Sequence, residues 1–193
     1  MDIITALGGI GSAFGLSASA GLNAYIPLLT VALVARFTNW LNLSDPYNVL
    51  ETWPVIIVLS VLLVVETFVD KIPAVDTMND AIQTFIRPAA GAVMFAANAN
   101  VINDLHPAIA VTAGILLAGS VHVTKGAVRP MVTASTAGTG NWFVSLVEDV
   151  VAFFASLLAI LVPLLMAVVS VVAFYFGIRF WRRRRQRRLA ATA

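Results

Sequence analysis

Uncharged apolar runs alternate with short charged stretches along this chain. The first run, residues 3–35, holds no charged side chain. It is too long for one ordinary bilayer-spanning helix of about 20 residues and too short for two with a loop. Gly8, Gly9, Gly11, Gly15 and Gly21 fall in its first two thirds with Ser12, Ser17 and Ser19, whereas NAYIPLLTVALVA, which follows, is bulkier. The pattern predicts a short or re-entrant helix, a break near residues 19–23, and a spanning helix ending by Arg36. Glycine and serine let helices approach closely, and a break is tolerated in a bilayer only where protein or water satisfies the freed backbone groups. Asp2 is the only nearby charge and the run is too long for a cleaved signal peptide, so none is expected.

Residues 37–53 read as an interfacial loop, with Trp40, Tyr47 and Trp53 suited to the headgroup region and Asp45-Pro46 as a turn. This loop carries two acids and no base, which favours the non-cytoplasmic side. Residues 54–69 form a second spanning run that passes directly into ETFVDKIPAVDTMNDAIQTFIR, residues 66–87. Pro73 is expected to end or kink that helix near Ile72. The apolar stretch 89–97 is too short to span alone. With AIQTFI before it, it completes a third helix and places Arg87-Pro88 inside or at its edge. Residues 107–123 span again and lead into a second polar stretch, HVTKGAVRPMVTASTAGTGNWFVSLVED. The last run, 142–178, would be about 55 Å long as one straight helix against a hydrocarbon core of roughly 30 Å. A kink at Pro163, a strong tilt or two segments is therefore expected. Shifting residues 54–78 by 53 positions aligns Pro54, Ile56, Val58, Leu63, Ala74, Val75 and Met78 with identical residues. Together with a lysine near the start of each polar stretch, this raises an internal repeat of the type that places transporter sites between duplicated halves.

Composition agrees with the pattern. The chain is 60% hydrophobic and 11% charged, with mean hydropathy +0.91, against about 25% charged for an ordinary soluble domain. It has no cysteine, which excludes disulfides and thiolate metal sites. The net charge of +2 conceals an asymmetry. Seven of twelve basic residues lie between Arg179 and Arg188, and the remainder has five basic and ten acidic residues. Next to a spanning helix, such a tail marks the cytoplasmic side and touches anionic lipid; nucleic acid is not the expected partner. The organisation expected is one transmembrane domain, 1–178, and a basic cytoplasmic tail, 179–193.

Two constellations carry candidate chemistry. Glu66 and Asp70 are four apart, as are Asp76 and Asp80, with Lys71 and Arg87 nearby. Carboxylates paired on helix faces near a proline break suit cation binding or proton exchange, as do Glu148 and Asp149. The plainer alternative is an exposed helix–loop beside the membrane. The second constellation joins Lys125 and Arg129 to the loop Ser135, Thr136, Gly138, Gly140 and Asn141. Cations, hydroxyls and free amides there suit an anion such as phosphate, with a polar interhelical turn as the alternative. No Gly-Lys-Ser/Thr follows the glycines, which disfavours ATP. Asn23, with Tyr25, is placed to hydrogen-bond to the polar stretches. His122 reads as a hydrogen-bonding residue and His106 as a loop residue. No metal-ligand spacing, cofactor motif or nucleophile–base–acid set emerges, so no enzyme is expected.

SASAGLNAYIPLL (17–29), ETFVDKIPAVD (66–76), IRPAAGA (86–92) and HVTKGAVRPMVTASTAGTGN with SLVED (within 122–149) resemble a family of small bacterial membrane proteins known as domain of unknown function 4126. The resemblance implies a polytopic membrane protein of bacterial origin. It implies no activity, substrate or catalytic residues.

The fold expected is an all-α, polytopic integral membrane bundle. It has four to five spanning helices and one or two broken or re-entrant ones, in a bacterial inner membrane with the C-terminus in the cytoplasm. The leading functional expectation is a small transporter or channel-like protein. Lys125, Arg129, Asn23 and the 135–141 loop would hold an anionic, phosphate-bearing or lipid substrate. Glu66, Asp70, Asp76, Asp80, Glu148 and Asp149 would bind a cation or exchange protons. The alternative is a noncatalytic subunit of a larger membrane complex with its charges paired internally. Small-residue helix faces are compatible with a homo-oligomer.

Overall fold

The computed structural model describes residues 3–43, 45–69, 73–99, 105–136 and 140–190. Among these the regular elements are all helical, without strands. The elements are α1 (Ile3–Leu22), α2 (Tyr25–Phe37), a 3-10 turn (Tyr47–Glu51), α3 (Trp53–Val69), α4 (Pro73–Ala99), α5 (Pro107–Thr136), α6 (Gly140–Leu161) and α7 (Pro163–Ala190).

The small residues of α1 make it the central helix, packed against α2, α4, α5, α6 and α7. Its serines reach neighbouring backbones that bulkier side chains would hold away. Ser12 Oγ donates to Ala159 O at 2.6 Å and Ser19 Oγ to Ala152 O at 2.6 Å, so α6 runs antiparallel to α1. Ser17 Oγ lies 3.0 Å from Gly91 O and 3.1 Å from Gly114 O, sharing its proton between α4 and α5. At this three-helix crossing Gly91 and Gly114 touch backbone to backbone: a Cβ on Gly114 would strike the Gly91 carbonyl. Further along, Gly21 abuts Ala118 and Val121, so α5 runs parallel to α1. The start of α7 packs equally closely, Gly11 against Pro163 and Ala167, and Gly15 against Met166, so α7 also runs parallel to α1.

These directions give the bundle two ends. The start of α1, the 38–52 loop, the end of α4, the start of α5 and the α6–α7 junction lie at one end. The end of α1, the starts of α2 and α6, and the ends of α3, α5 and α7 lie at the other, which holds the buried charges.

The outer faces are apolar. Val58 and Phe68 of α3, Leu116 of α5, Phe154 of α6 and Val171 of α7 are all exposed. A patch this continuous is unfavourable in water and matches hydrocarbon. Among the described residues three helices are long and apolar enough to cross a membrane: Pro107–Thr136, Gly140–Leu161 and Pro163–Phe180. The shorter α1, α2 and α3 are apolar as well. The chain is thus an all-α bundle with the surface of a membrane protein.

Several elements follow the pattern closely. α4 runs through Pro88, and the long final run divides at Val162 into two helices. Others differ. The first run gives a 20-residue α1 and a 13-residue α2, about 30 and 20 Å long, so the first helix, not the second, has bilayer length. The break itself falls at Asn23, within the expected 19–23 stretch. The stretch after His122 stays helical to Thr136, with Pro130 inside α5. Of the two segments compared as a repeat, Pro54 and Pro107 both sit in the first turn of a helix, where proline lacks no needed N–H; the first continues as α3 to Val69 and resumes as α4 at Pro73, with residues 70–72 outside the described residues, and the second is the single helix α5. Residues 179–190 extend α7 as helix.

Candidate functional site

The break between α1 and α2 builds one wall of the site. A helix ending inside a protein leaves carbonyls at its C-terminus and amides at its N-terminus unbonded. Here both sets are used. Asn23 Oδ1 accepts from the amides of Tyr25 (2.9 Å) and Ile26 (3.1 Å) at the start of α2. Lys125 Nζ donates to Leu22 O, the last carbonyl of α1, at 3.2 Å. A cation at a helix C-terminus also has a favourable interaction with the helix dipole. The free amide of Asn23 donates to Asp149 Oδ1 of α6 at 2.9 Å.

α5 supplies the spine. Ala118, His122, Lys125 and Arg129 recur at the three- and four-residue spacing of one helix face, and all four are buried. The three polar side chains form two layers, His122 against α4 and Lys125 with Arg129 against α6. In the innermost, Arg87 of α4 is fully buried and Glu66 of α3 is 3% exposed. Arg87 Nη2 donates to Glu66 Oε1 at 3.1 Å, and Arg87 Nη1 lies 3.2 Å from His122 Nδ1. A guanidinium only donates, so His122 Nδ1 must be the bare acceptor. On its other side, His122 Nε2 lies 3.1 Å from Thr84 Oγ1. Gln83, one turn before Arg87 on α4, is also buried and interacts with the Tyr25 side chain. Arg87 Nε and Gln83 Oε1 have no hydrogen-bond partner among the described residues.

One turn further out, Lys125 Nζ lies 2.8 Å from Glu148 Oε2 of α6. Arg129 Nη2 lies 3.8 Å from the same oxygen. Lys125 and Glu148, with Leu22, Ser120, Val121, Thr124 and Val128, line a cleft of about 300 Å³ that opens outward. The inner pair is enclosed by protein, while the outer pair borders accessible space.

The structure thus joins six of the residues singled out in the sequence, Asn23, Glu66, Lys125, Arg129, Glu148 and Asp149, at one end of the bundle. The hydrogen bonds it shows for Ser135, Thr136, Gly140 and Asn141 run to the end of α5 and not to Lys125. Ser135 Oγ and Thr136 Oγ1 both donate to Val132 O, Gly140 N donates to Thr136 Oγ1, and Asn141 Nδ2 donates to Thr133 Oγ1. These bonds close the α5–α6 corner locally. Gly138 and Asp70 lie outside the described residues. The same holds for the side chains of Asp76 and Asp80, whose backbones belong to α4. Among the described residues no cluster of three metal-ligating side chains occurs.

The sequence reading set Arg87 beside the first carboxylate constellation without giving it a binding role of its own, and passed over Gln83 and Thr84. A signal was available: residues 80, 83, 87 and 91 follow helical spacing through Pro88, so a polar face leads directly into the glycine contact. His122 does act as the hydrogen-bonding residue expected of it.

A helical membrane protein with a buried, layered charge network at one end of its bundle is the class that fold and site define. The chain belongs to the family described as Domain of unknown function (DUF4126), whose model matches residues 10–183. Searches among curated proteins and among solved structures gave no match.

Proposed function

We propose that this protein is a small, non-enzymatic transporter or channel-like protein. Its ligand site is the Lys125–Glu148 cleft, and its substrate carries an anionic, phosphate-type group. The supporting observation is the difference between the two ion pairs. Glu66–Arg87 is enclosed and holds α3 to α4, whereas Lys125–Glu148 lines an open cleft where an incoming anion can compete for the ammonium. Arg129, 3.8 Å from the same carboxylate, adds a second cation within reach of that anion. Deeper in, Arg87 Nε and Gln83 Oε1 offer an unused donor and acceptor. Displacing Glu148 from Lys125 would free its carboxylate for a coupling cation, the second part of the proposed site.

The proposed orientation is C-terminus in the cytoplasm of a bacterial inner membrane. The arginines following Ile178 lie at the same bundle end as Lys125 and Arg129, so the positive-inside rule assigns that end to the cytoplasm. From Gly114 to Lys125 is about 16 Å along α5. If the Ser17 crossing is central, the cleft lies near one hydrocarbon boundary.

The test is a current measurement on proteoliposomes given jumps of inorganic phosphate, with and without a proton gradient. Transient currents in the wild type that vanish in Lys125→Gln and Glu148→Gln support the reading. Absence of current from folded wild-type protein overturns it. That result favours the second reading, a noncatalytic subunit of a membrane complex, for which the fully enclosed Glu66–Arg87 pair is the specific support.

A further inference from the structure

The wall between α1, α5 and α7 holds a second, almost wholly apolar groove of about 540 Å³, within the roughly 300–1,000 Å³ range of ligand sites. Its origin is the way α7 leaves α1. At its start α7 is in tight contact with Gly11 and Gly15. At Gly177, farther along α7, a Cβ would meet nothing within 4 Å. Small residues, Ala18 on α1 and Ser170, Ala173 and Gly177 on α7, leave the wedge between them unfilled, with Phe14, Leu117 and Met166 as apolar walls.

Both margins of its wide end are cationic. Ser120 and Val121 line this groove and also the cleft that ends on Lys125 and Glu148. Ile178 lines it and also a neighbouring cleft formed with Arg179, Arg182 and Arg183. Hydrocarbon surface leading to cations on two sides is complementary to one molecular shape: an acyl chain ending in an anionic headgroup. A soluble anion would use the cations and leave the groove empty, and a zwitterionic lipid would use the groove but gain little from the cations.

We infer that the groove between α1, α5 and α7 takes one acyl chain of an anionic phospholipid, whose phosphate sits between Lys125 and the arginines at the end of α7. The inference rests on reading the Lys125–Glu148 cleft as a ligand site, and it assigns that site a lipid substrate reaching it sideways from the bilayer. The arginine margin is accessible, so headgroup binding weakens as salt is raised.

Native mass spectrometry of protein released from nanodiscs of phosphatidylcholine doped with phosphatidylglycerol tests this. Three variants are compared with the wild type: Gly177→Phe and Ala173→Phe, which fill the groove without touching a charge, and Lys125→Gln. Gly177 faces open space, so its variant is expected to fold, and a thermal midpoint within a few degrees of wild type checks that it has. The expected result is one retained phosphatidylglycerol per chain in the wild type, with occupancy lowered at least tenfold in Gly177→Phe and in Lys125→Gln. If groove filling leaves occupancy unchanged while inorganic phosphate still evokes Lys125-dependent currents, the lipid inference fails and the anion site stands. If only loosely held lipid is found, equal for both headgroups, the inference is overturned. If in addition Lys125→Gln changes neither lipid nor current, the ligand site falls with it.

Discussion

Arg87 is the residue on which the buried network turns. A buried guanidinium is costly to desolvate, and the cost is offset only by good geometry on several nitrogens. Arg87 uses one terminal nitrogen for Glu66 and the other for His122, bringing α3, α4 and α5 to a single point. Replacing it by methionine removes the cation from beside a buried carboxylate, which should cost about 3–5 kcal/mol. Arg87→Lys should rescue little, because one ammonium cannot present the two separated nitrogens that Glu66 and His122 meet. The double variant Glu66→Met, Arg87→Met removes both charges and should recover most of the loss. Thermal unfolding in detergent measures all three, and a double variant no more stable than Arg87→Met alone would show that the pair is not the source. His122 is open to a parallel comparison. His122→Gln retains a donor and an acceptor on one side chain, whereas His122→Phe retains neither. The phenylalanine variant should be the less stable of the two by about 1–3 kcal/mol, because it leaves the buried Arg87 Nη1 short of a partner.

At the level of helices, two contacts set how the elements meet, and each has its own substitution test. The Gly91–Gly114 crossing brings backbone against backbone, so a methyl group cannot be absorbed by a side-chain rotation. Gly114→Ala should cost about 1–3 kcal/mol as overpacking. Gly126→Ala on the same helix meets open space and should be neutral or stabilising by up to about 1 kcal/mol through helix propensity. A pair of melting curves decides between packing and a general sensitivity of α5 to substitution. The α1–α2 break depends on Asn23, and Asn23→Ala should lose about 1 kcal/mol for the cap, plus the bond to Asp149. Asn23→Asp keeps the cap acceptor but sets a second carboxylate beside Asp149. It should therefore melt below Asn23→Ser, although aspartate and serine cap equally well. The break was legible in the sequence because glycine and serine richness gives way there to bulky residues, and α4 was legible because apolar spacing continues through Pro88. The ion pairing was not. Proximity along the chain suggested grouping Glu66 with Asp70, whereas the nearest cations to Glu66 and Glu148 are 21 residues onward and 23 residues back on neighbouring helices. The 135–141 hydroxyls and amides suggested an anion cradle; such side chains bond readily to their own backbone at helix ends, and Ser135 and Thr136 do so.

For the whole molecule, the arrangement of ends fixes a topology. α1 and α5 run in the same direction, α4 and α6 run against them, and α7 returns alongside α1. The arginine-rich end of α7, Lys125, Arg129 and the α5–α6 corner must therefore face one side of the membrane, and the 38–52 loop the other. That loop carries Asp45 and Glu51 and no basic residue, and exposed Trp40 and Trp53 lie at its margins. Trp53 is partly covered by the Arg36 guanidinium at 4.5 Å, which also donates to Glu51 O at 2.7 Å. This is the kind of aromatic and cationic anchoring found where a helix meets the headgroups. The natural chain has no cysteine, so a single introduced thiol reports without background. Asn48→Cys in the loop should react with a membrane-impermeant maleimide on intact cells. Ser135→Cys at the exposed end of α5 and Gln186→Cys in the arginine segment should react only after permeabilisation. Labelling of Asn48→Cys and Ser135→Cys from the same side would contradict the helix order itself. Labelling of all three positions in the reverse sense would keep the bundle and invert it, placing the Lys125–Glu148 cleft on the outer leaflet.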